Sequence, residues 1–274
     1  MKKDIRTLLC SLGICDNDSI VEIHHKVRDS DNISVSKCQQ SGVIFLSNSE
    51  QVDLSYYKKK EKLGYSDAKD RKAALATYFK DSQRRANDFR SIITNKKWLD
   101  IGTGSGGVLE LLRDAASQIV AVEPQLTWYK LLKKDGYDAY QSIDDVVGDD
   151  FEVVTLFHLL EHFVDPVNDL KTVHSKMNEN GKIIVEVPHA NDLLISSFNH
   201  EKFKTFTFWS EHLILHTRRS LTVFLEEAGF RNICVEGFQR YSLANHLHWL
   251  VNNEPGGHIK WKHLGSPELD SAYS

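Results

Sequence analysis

The sequence of 274 residues predicts an α/β protein in which helices cover both faces of a doubly wound, mostly parallel sheet. Short apolar runs alternate with amphipathic segments between residues 98 and 187, which is the pattern of a parallel sheet. The first run passes directly into a glycine-rich turn, and Asp165-Pro166 supplies a helix start within the alternation. Residues 1–55 instead mix short β-like runs with polar turns and predict a small N-terminal lobe.

Periodicity places each element. A helix is expected over residues 67–93, where Leu75, Phe79 and Ala86 recur on one face, and Gly229 is the expected stop of a later helix. The other elements are expected as strands at 20–24, 33–35, 43–46, 98–101, 119–122, 138–140, 151–157 and 182–187, and as helices from 108 to about 116, at 126–134 and from 166 onward.

The glycine-rich turn indicates a cofactor of the nucleotide type. Residues 98–107 read Trp-Leu-Asp-Ile-Gly-Thr-Gly-Ser-Gly-Gly, and glycines accept positive φ and let a ligand touch the backbone. Glu123 ends the next apolar run, where its carboxylate can bind the two hydroxyls of a ribose. Asp100 would repel a pyrophosphate, whereas the sulfonium and ammonium groups of S-adenosylmethionine (SAM) are cations. The turn therefore favours SAM over a nicotinamide dinucleotide.

The Asp-x-Gly-x-Gly pattern that begins at Asp100 resembles the first motif of class I SAM-dependent methyltransferases. Residues 157–166, Phe-His-Leu-Leu-Glu-His-Phe-Val-Asp-Pro, and residues 180–188 are similar to a subfamily with a Leu-Glu-His-x-x-Asp-Pro motif. That subfamily includes ubiquinone-pathway O-methyltransferases and sugar or polysaccharide methyltransferases. The resemblance implies a Rossmann-like sheet of seven strands, closed by antiparallel strands from 231–238 onward. It also implies SAM as methyl donor and S-adenosyl-L-homocysteine as product.

The resemblance assigns roles to residues at the carboxyl ends of the strands, where ligands of doubly wound sheets bind. The glycine turn would cradle the amino-acid end of SAM, Glu123 would hold the ribose, and three further residues would border the adenine. Strand 151–157 would deliver its last residue and the next one towards the cofactor. The expected cofactor residues are Asp100, Gly102, Thr103, Gly104, Glu123, Pro124, Ile143, Asp144, Phe157 and His158.

Two histidines are candidates for the general base. Methyl transfer to oxygen is helped by removal of the hydroxyl proton, and an imidazole suits that role. His162 and His189 both follow strands on the expected ligand side, although His162 could equally pack against or cap the next helix. Residues 158–162 also match the His-x-x-Glu-His pattern of some metalloproteases, but they lie at a strand end rather than within a long helix. No metal is therefore expected, and metal-assisted methyl transfer is a minor alternative.

The N-terminal lobe contains one half of a zinc-ribbon knuckle. Cys38 begins the segment Cys-Gln-Gln-Ser-Gly-Val-Ile-Phe-Leu, in which Ser41 stands where a second thiolate would be expected. Cys10, Cys15 and the His24-His25 pair could complete a zinc site, but a vestigial, metal-free ribbon is the preferred interpretation.

Composition limits the partners. The net charge of −4 gives no basic face for nucleic acid. No apolar run reaches the roughly 18 residues that span a bilayer, and the first residues lack the apolar core of a signal peptide. A cytoplasmic location is therefore expected. The abrupt end of the sequence at residues 270–274 is typical of a fragment of a longer protein.

The sequence predicts three regions: an N-terminal lobe at 1–66, a methyltransferase domain at 67–240 and a C-terminal extension at 241–274. The expected function is O-methylation of a saccharide or nucleotide-sugar hydroxyl in surface-polysaccharide biosynthesis. The aromatic and amide-rich stretch 239–258 would suit sugar binding, although a packed interdomain or dimer surface is the preferred interpretation. Open alternatives are a sugar C-methyltransferase, a quinone- or phenol-type O-methyltransferase, a SAM-binding scaffold without turnover, and a nicotinamide oxidoreductase. The oligomeric state is left open.

Overall fold

The computed structural model describes residues 4–48, 70–266 and 268–269. Its strands are β1 (Ile20–His24), β2 (Val35–Cys38), β3 (Ile44–Leu46), β4 (Lys97–Ile101), β5 (Gln118–Val122), β6 (Asp138–Tyr140), β7 (Phe151–Phe157), β8 (Met177–Glu186) and β9 (Ile214–Leu215). Its helices are α1 (Ile5–Ser11), α2 (Arg71–Thr77), α3 (Phe79–Ile93), α4 (Gly107–Leu112), α5 (Leu126–Lys134), α6 (Pro166–Ser175), α7 (Leu193–Ser196), α8 (Glu201–Thr207), α9 (Arg218–Glu227), α10 (Leu243–Asn252) and α11 (Gly257–Lys260).

The chain forms two compact units, neither of which is continuous in sequence. One contains the described residues of 50–188 and 224–230, and the other contains those of 1–49, 189–223 and 231–274. These units do not follow the contiguous boundaries expected from the sequence. Across the described residues, no helix is both long and apolar enough to cross a membrane.

The first unit is built on a parallel five-stranded sheet in the order β6-β5-β4-β7-β8. The predicted α/β fold with a parallel sheet flanked by helices is thus confirmed. The chain leaves β4 to one side for β5 and returns to its other side for β7, so the carboxyl ends of β4 and β7 form the switch point of the sheet. Ligands of such folds bind at this place. The edge of this sheet at which its strands end is called the carboxyl edge below.

The expectation of seven strands is wrong for the described part of the chain, where this sheet has five. The closing strands expected from 231–238 are absent, and residues 231–238 form no strand. Asn232 has a φ of +56°, and the Val235 carbonyl accepts a hydrogen bond from the Arg218 side chain instead of from a neighbouring strand. The segment also has no buried residue that would make it one face of a sheet.

The helix expected over 67–93 is interrupted. Residues 67–69 lie outside the described residues, and α2 and α3 are separated at Tyr78, which has a φ of −97° and a ψ of 10°. Helix α6 begins at Pro166 as predicted, but Asp165 makes no capping hydrogen bond with its side chain. Gly229 follows α9 with a φ of +100°, so the predicted helix stop is confirmed.

The second unit contains an antiparallel sheet in the order β1-β2-β3-β9. The expected N-terminal strands are present, with the second shifted from 33–35 to Val35–Cys38. Strand β9 comes from the last third of the chain and pairs with β3, with Ile44 opposite Leu215. This pairing was not predicted from the sequence, because only two residues of β9 take part.

The half-knuckle of the N-terminal lobe is held by hydrogen bonds. The Ser41 backbone N–H lies 3.4 Å from Cys38 Sγ and the Ser19 hydroxyl lies 3.2 Å from it. Burial alone would raise the pKa of Cys38, but these hydrogen bonds outweigh it and lower the pKa to about 6. Among this lobe's described residues, no three metal-ligating side chains lie within 4.8 Å of one another. The metal-free ribbon stays a prediction.

Candidate functional site

The glycine turn after β4 is open on one side. Gly102 and Gly104 have backbone φ angles of +76° and +56°. Residues other than glycine adopt such angles only at a cost in free energy. A Cβ at Gly102 would lie 2.9 Å from Leu159 Cδ1, whereas a Cβ at Gly104 would meet no atom within 4 Å. The backbone at Gly104 therefore faces space that a ligand can occupy.

Glu123 directly follows β5 and its carboxylate is fixed by backbone groups. Its Oε2 accepts the Gly104 N–H at 2.6 Å, and its Oε1 accepts the Gln125 N–H at 2.8 Å. The side chain is buried, and this burial raises the pKa of Glu123 to about 7, with a smaller contribution from the negative charge of Asp100. Each oxygen retains a second lone pair, so the carboxylate suits two neighbouring hydroxyl donors.

Asp100 lies within β4, one residue before its end, and its orientation is set by a chain of hydrogen bonds. The Trp98 indole donates to Thr155 Oγ1 at 2.8 Å, and the Thr155 hydroxyl donates to Asp100 Oδ1 at 2.5 Å. Burial raises the pKa of Asp100 to about 6, against the effect of these hydrogen bonds and of the Arg85 charge. Two buried carboxylates therefore flank the glycine turn, and a cationic ligand would favour their ionised forms.

The two raised pKa values affect the stability of the ligand-free protein. A carboxyl group whose pKa is higher in the folded than in the unfolded state stabilises the fold only while it is protonated. The contribution of Glu123 is therefore full below its ordinary pKa of 4.5 and is lost as the pH rises to about 7. The site is thus strained electrostatically near neutral pH without a ligand.

The expected adenine border lies beside Glu123. Gln141 Nε2 donates to the Pro124 carbonyl at 3.2 Å, and the chain then forms a 3₁₀ turn at Ile143–Asp145. Gln125 Oε1 is buried and finds no hydrogen-bond donor among the described residues. An unpaired buried acceptor is costly unless a ligand satisfies it. The open face at Gly104, the Glu123 carboxylate and this acceptor fit a cofactor with ribose hydroxyls and an amino-bearing base.

A second cluster of polar side chains follows β7 at the carboxyl edge of the sheet. His158 has a φ of +53°, and a 3₁₀ turn at Leu160–His162 comes next. Glu161 is fully buried, and its Oε1 lies 3.3 Å from His158 Nδ1 and 4.0 Å from His162 Nε2. The residues predicted for proton transfer and for the cofactor thus converge on one carboxylate. Phe157 stacks on Phe89, with ring centroids 5.7 Å apart.

His189, the second candidate base, belongs to the other compact unit. It forms an isolated parallel bridge with His216, and its Nδ1 accepts the Asn191 N–H at 3.2 Å. Partial desolvation and then the Arg218 charge lower the pKa of His189. A neutral imidazole is able to accept a proton, which is compatible with a role as general base. That role stays a prediction.

Three contributors to the site were not predicted from the sequence: Thr155, Gln125 and Glu186. Thr155 stands opposite Asp100 in the pairing of β4 with β7, and such a register is not visible in either segment alone. Glu186 ends β8 and accepts hydrogen bonds from Arg84 and Arg85 of α3. For Thr155 and Glu186, the only available signal was a polar residue inside an otherwise apolar run.

The chain is similar to known methyltransferases in sequence and in structure. A family profile described as "Methyltransferase domain" matches residues 68–235, more than half of the chain. A search of curated proteins found no match. A SAM-dependent methyltransferase from Archaeoglobus fulgidus is similar in structure, with a TM-score of 0.47, 22% identity and coverage of 62% of this chain and 73% of that one. One from Thermotoga maritima has a TM-score of 0.46, 16% identity and coverage of 58% and 77%.

Proposed function

The chain belongs to the methyltransferase-domain family, and we propose that it methylates a hydroxyl of a saccharide or nucleotide-sugar. It is a SAM-dependent methyltransferase; the choice of acceptor is the proposal. When bound, SAM supplies a methyl group on a positively charged sulfur. The observation that carries the proposal is the buried Glu161 carboxylate beside the His162 imidazole at the carboxyl edge.

The acidic and imidazole groups favour an oxygen acceptor. A hydroxyl has to lose its proton as its oxygen gains a carbon, whereas a neutral amine can attack before it loses one. His162 would accept that proton, and Glu161 would stabilise the resulting imidazolium. The saccharide is inferred from the resemblance of residues 157–166 and 180–188 to sugar methyltransferases. Asp100 and Glu123 would hold the cationic and ribose parts of the cofactor.

Labelled SAM offered with a panel of nucleotide sugars and glycans should give a methylated product that mass spectrometry detects. His162→Ala should lower the rate about 100-fold, within the usual range for loss of a general base. His174→Ala is the matched control, since that imidazole packs on Phe230 rather than at the carboxyl edge. SAM binding without any product from the panel would support a non-catalytic scaffold, and a melting temperature raised by NADH alone would reject the methyltransferase.

The number of protons released when a ligand binds reports the protonation state of the Glu123 carboxyl group. Adenosine carries the ribose hydroxyls without a group that titrates near neutral pH, and it should bind the ionised carboxylate. Because burial raises the pKa of Glu123 to about 7 in the ligand-free protein, calorimetry in buffers of different ionisation enthalpy should detect proton release on binding near pH 7. Affinity for adenosine should rise from pH 6 to pH 8 and then level off.

Asp100→Asn is the control for this measurement. It removes the neighbouring carboxylate but keeps Glu123, so proton release should persist and move to lower pH, because the charge that raises the pKa of Glu123 is gone. Binding without proton release at pH 6 to 7 in the unaltered protein would show that the hydroxyls do not engage Glu123.

A further inference from the structure

His158 lies between two carboxylates at the carboxyl edge. Its Nδ1 is 3.3 Å from Glu161 Oε1, and its Nε2 is 3.3 Å from Glu186 Oε1. Its backbone N–H also donates to the Glu186 carbonyl at 2.8 Å. Both ring nitrogens therefore face carboxylate oxygens, which accept hydrogen bonds but cannot donate them when ionised.

Glu186 is ionised because two arginines of α3 bind it. Arg84 Nη2 lies 2.7 Å from Glu186 Oε2, and Arg85 Nη2 lies 2.6 Å from Oε1. Despite partial burial, hydrogen bonds from His158 and Arg85 hold the pKa of Glu186 far below its ordinary range. When Glu161 is ionised as well, a neutral imidazole would direct one nitrogen lone pair at a carboxylate oxygen, which is repulsive. Protons on both ring nitrogens remove this conflict.

The backbone of His158 is also unusual. Its φ of +53° lies in the left-handed region, which residues other than glycine adopt only against steric strain. That conformation occurs at the first residue after β7, at the switch point where a ligand is expected. Strain at such a place indicates a role that the rest of the fold supports.

We propose that His158 is a positively charged positioning residue, an imidazolium that holds the Glu161 carboxylate ionised beside His162. Charges then alternate from the two arginines through Glu186 and His158 to Glu161. The inference rests on the proposed function, because it assigns Glu161 and His162 to proton removal. It differs from the cofactor-binding role that the sequence resemblance implied for His158.

Within the described part of the chain, three elements carry charged groups next to His158 or next to its two carboxylates. The 3₁₀ turn contributes Glu161 and His162, β8 contributes Glu186, and α3 contributes Arg84 and Arg85. Arg84 also pairs with Asp88 at 3.3 Å and lies 3.9 Å from Asp81, so part of its charge is already balanced. Arg85 additionally lies over the Phe157 ring, 4.8 Å from its centroid, and acts on the buried Asp100. The imidazole nitrogens lie 3.3 Å from the two carboxylates, whereas both arginines bind Glu186.

Nitrogen NMR of the histidine-labelled protein reads the protonation state directly, without an acceptor and without turnover. His158→Asn assigns the resonance, since asparagine tolerates the left-handed conformation but carries no charge. We expect the resonance lost in that variant to show an imidazolium at pH 7.5, with a midpoint at least one pH unit above the value of about 6.5 for ordinary histidine. A neutral imidazole at pH 7.5 would overturn the proposal.

Glu186→Gln tests the source of the charge. It removes one of the two carboxylates and leaves both arginines, so the midpoint of His158 should fall by about one pH unit, a tenfold change in proton affinity. Glu152→Gln, at the amino end of β7, should leave the midpoint unchanged. An unchanged midpoint in Glu186→Gln would contradict the proposed pairing.

The rate of methyl transfer gives a second readout. Loss of the His158 cation makes Glu161 and His162 bind a proton more tightly, so the acidic limb of the pH–rate profile of His158→Asn should move to higher pH by about one unit. A merely structural role would lower the rate equally at every pH, and an unmoved limb would reject the positioning role. If no acceptor is methylated the proposed function fails, and the NMR result still decides the charge of His158.

Discussion

Replacing Glu123 with glutamine is expected to weaken SAM binding about 100-fold, which corresponds to about 2.7 kcal/mol. The carboxylate accepts the backbone N–H groups of Gly104 and Gln125, one at each oxygen. An amide has only one acceptor oxygen, so its NH₂ group would face a backbone donor. The variant loses a charge-assisted hydrogen bond and the shape of the glycine turn at the same time. Isothermal titration calorimetry with SAM measures the change in Kd.

Glu152→Gln is the matched control for this substitution. Glu152 also accepts a backbone N–H, from Lys97 at 3.0 Å, together with the Lys96 ammonium at 2.8 Å. It lies at the amino end of β7, away from the carboxyl edge, so its replacement should leave the Kd for SAM within about twofold. A Glu123→Gln protein that binds SAM as tightly as the original would show that the cofactor does not depend on this carboxylate.

Gly107→Ala should lower the free energy of unfolding by about 3 kcal/mol. Gly107 begins α4 without a positive φ, so the cost is purely steric. A Cβ at this position would lie 2.3 Å from Ser82 Oγ and 3.1 Å from Ser82 Cβ on α3. Ser82 is itself buried and has little room to move. Denaturant unfolding followed by circular dichroism gives the value.

Ser82→Ala makes this prediction a double-mutant cycle. It removes the hydroxyl that the new methyl group would meet at 2.3 Å, and it leaves a contact of 3.1 Å that a small shift can relieve. The double variant should therefore recover more than half of the stability lost by Gly107→Ala. Equal destabilisation with and without the Ser82 hydroxyl would mean that the two helices do not approach through this contact.

Local motifs explain which parts of the site were predictable. Asp100, Gly102 and Gly104 lie within one strand and turn, and Glu123 follows at the end of the next strand. These residues required no knowledge of how distant segments pair. Thr155, which orients Asp100, depends on the register between β4 and β7, and Glu186 depends on how α3 packs beside β8. Contacts of this kind are set by tertiary packing, so no local pattern indicates them.

The main incorrect prediction was the number of strands in the parallel sheet, which has five strands in the described residues and not seven. Residues 231–238 contain Ile233 and Val235 with alternate spacing, which is compatible with a strand. Alternation predicts a strand only when one face is buried, and here the segment has no buried residue. The count of seven came from family resemblance rather than from the residues, and the segment did not support it.

The pairing of β3 with β9 has a consequence for biosynthesis. The ribosome completes β1, β2 and β3 long before it reaches Leu215, which lies opposite Ile44. Throughout that interval the outer edge of β3 offers unpaired backbone groups to any extended peptide, including another nascent copy. The N-terminal lobe is therefore finished only after the whole five-stranded sheet has been synthesised. Chaperone binding to β3 during translation would protect the emerging chain from aggregation.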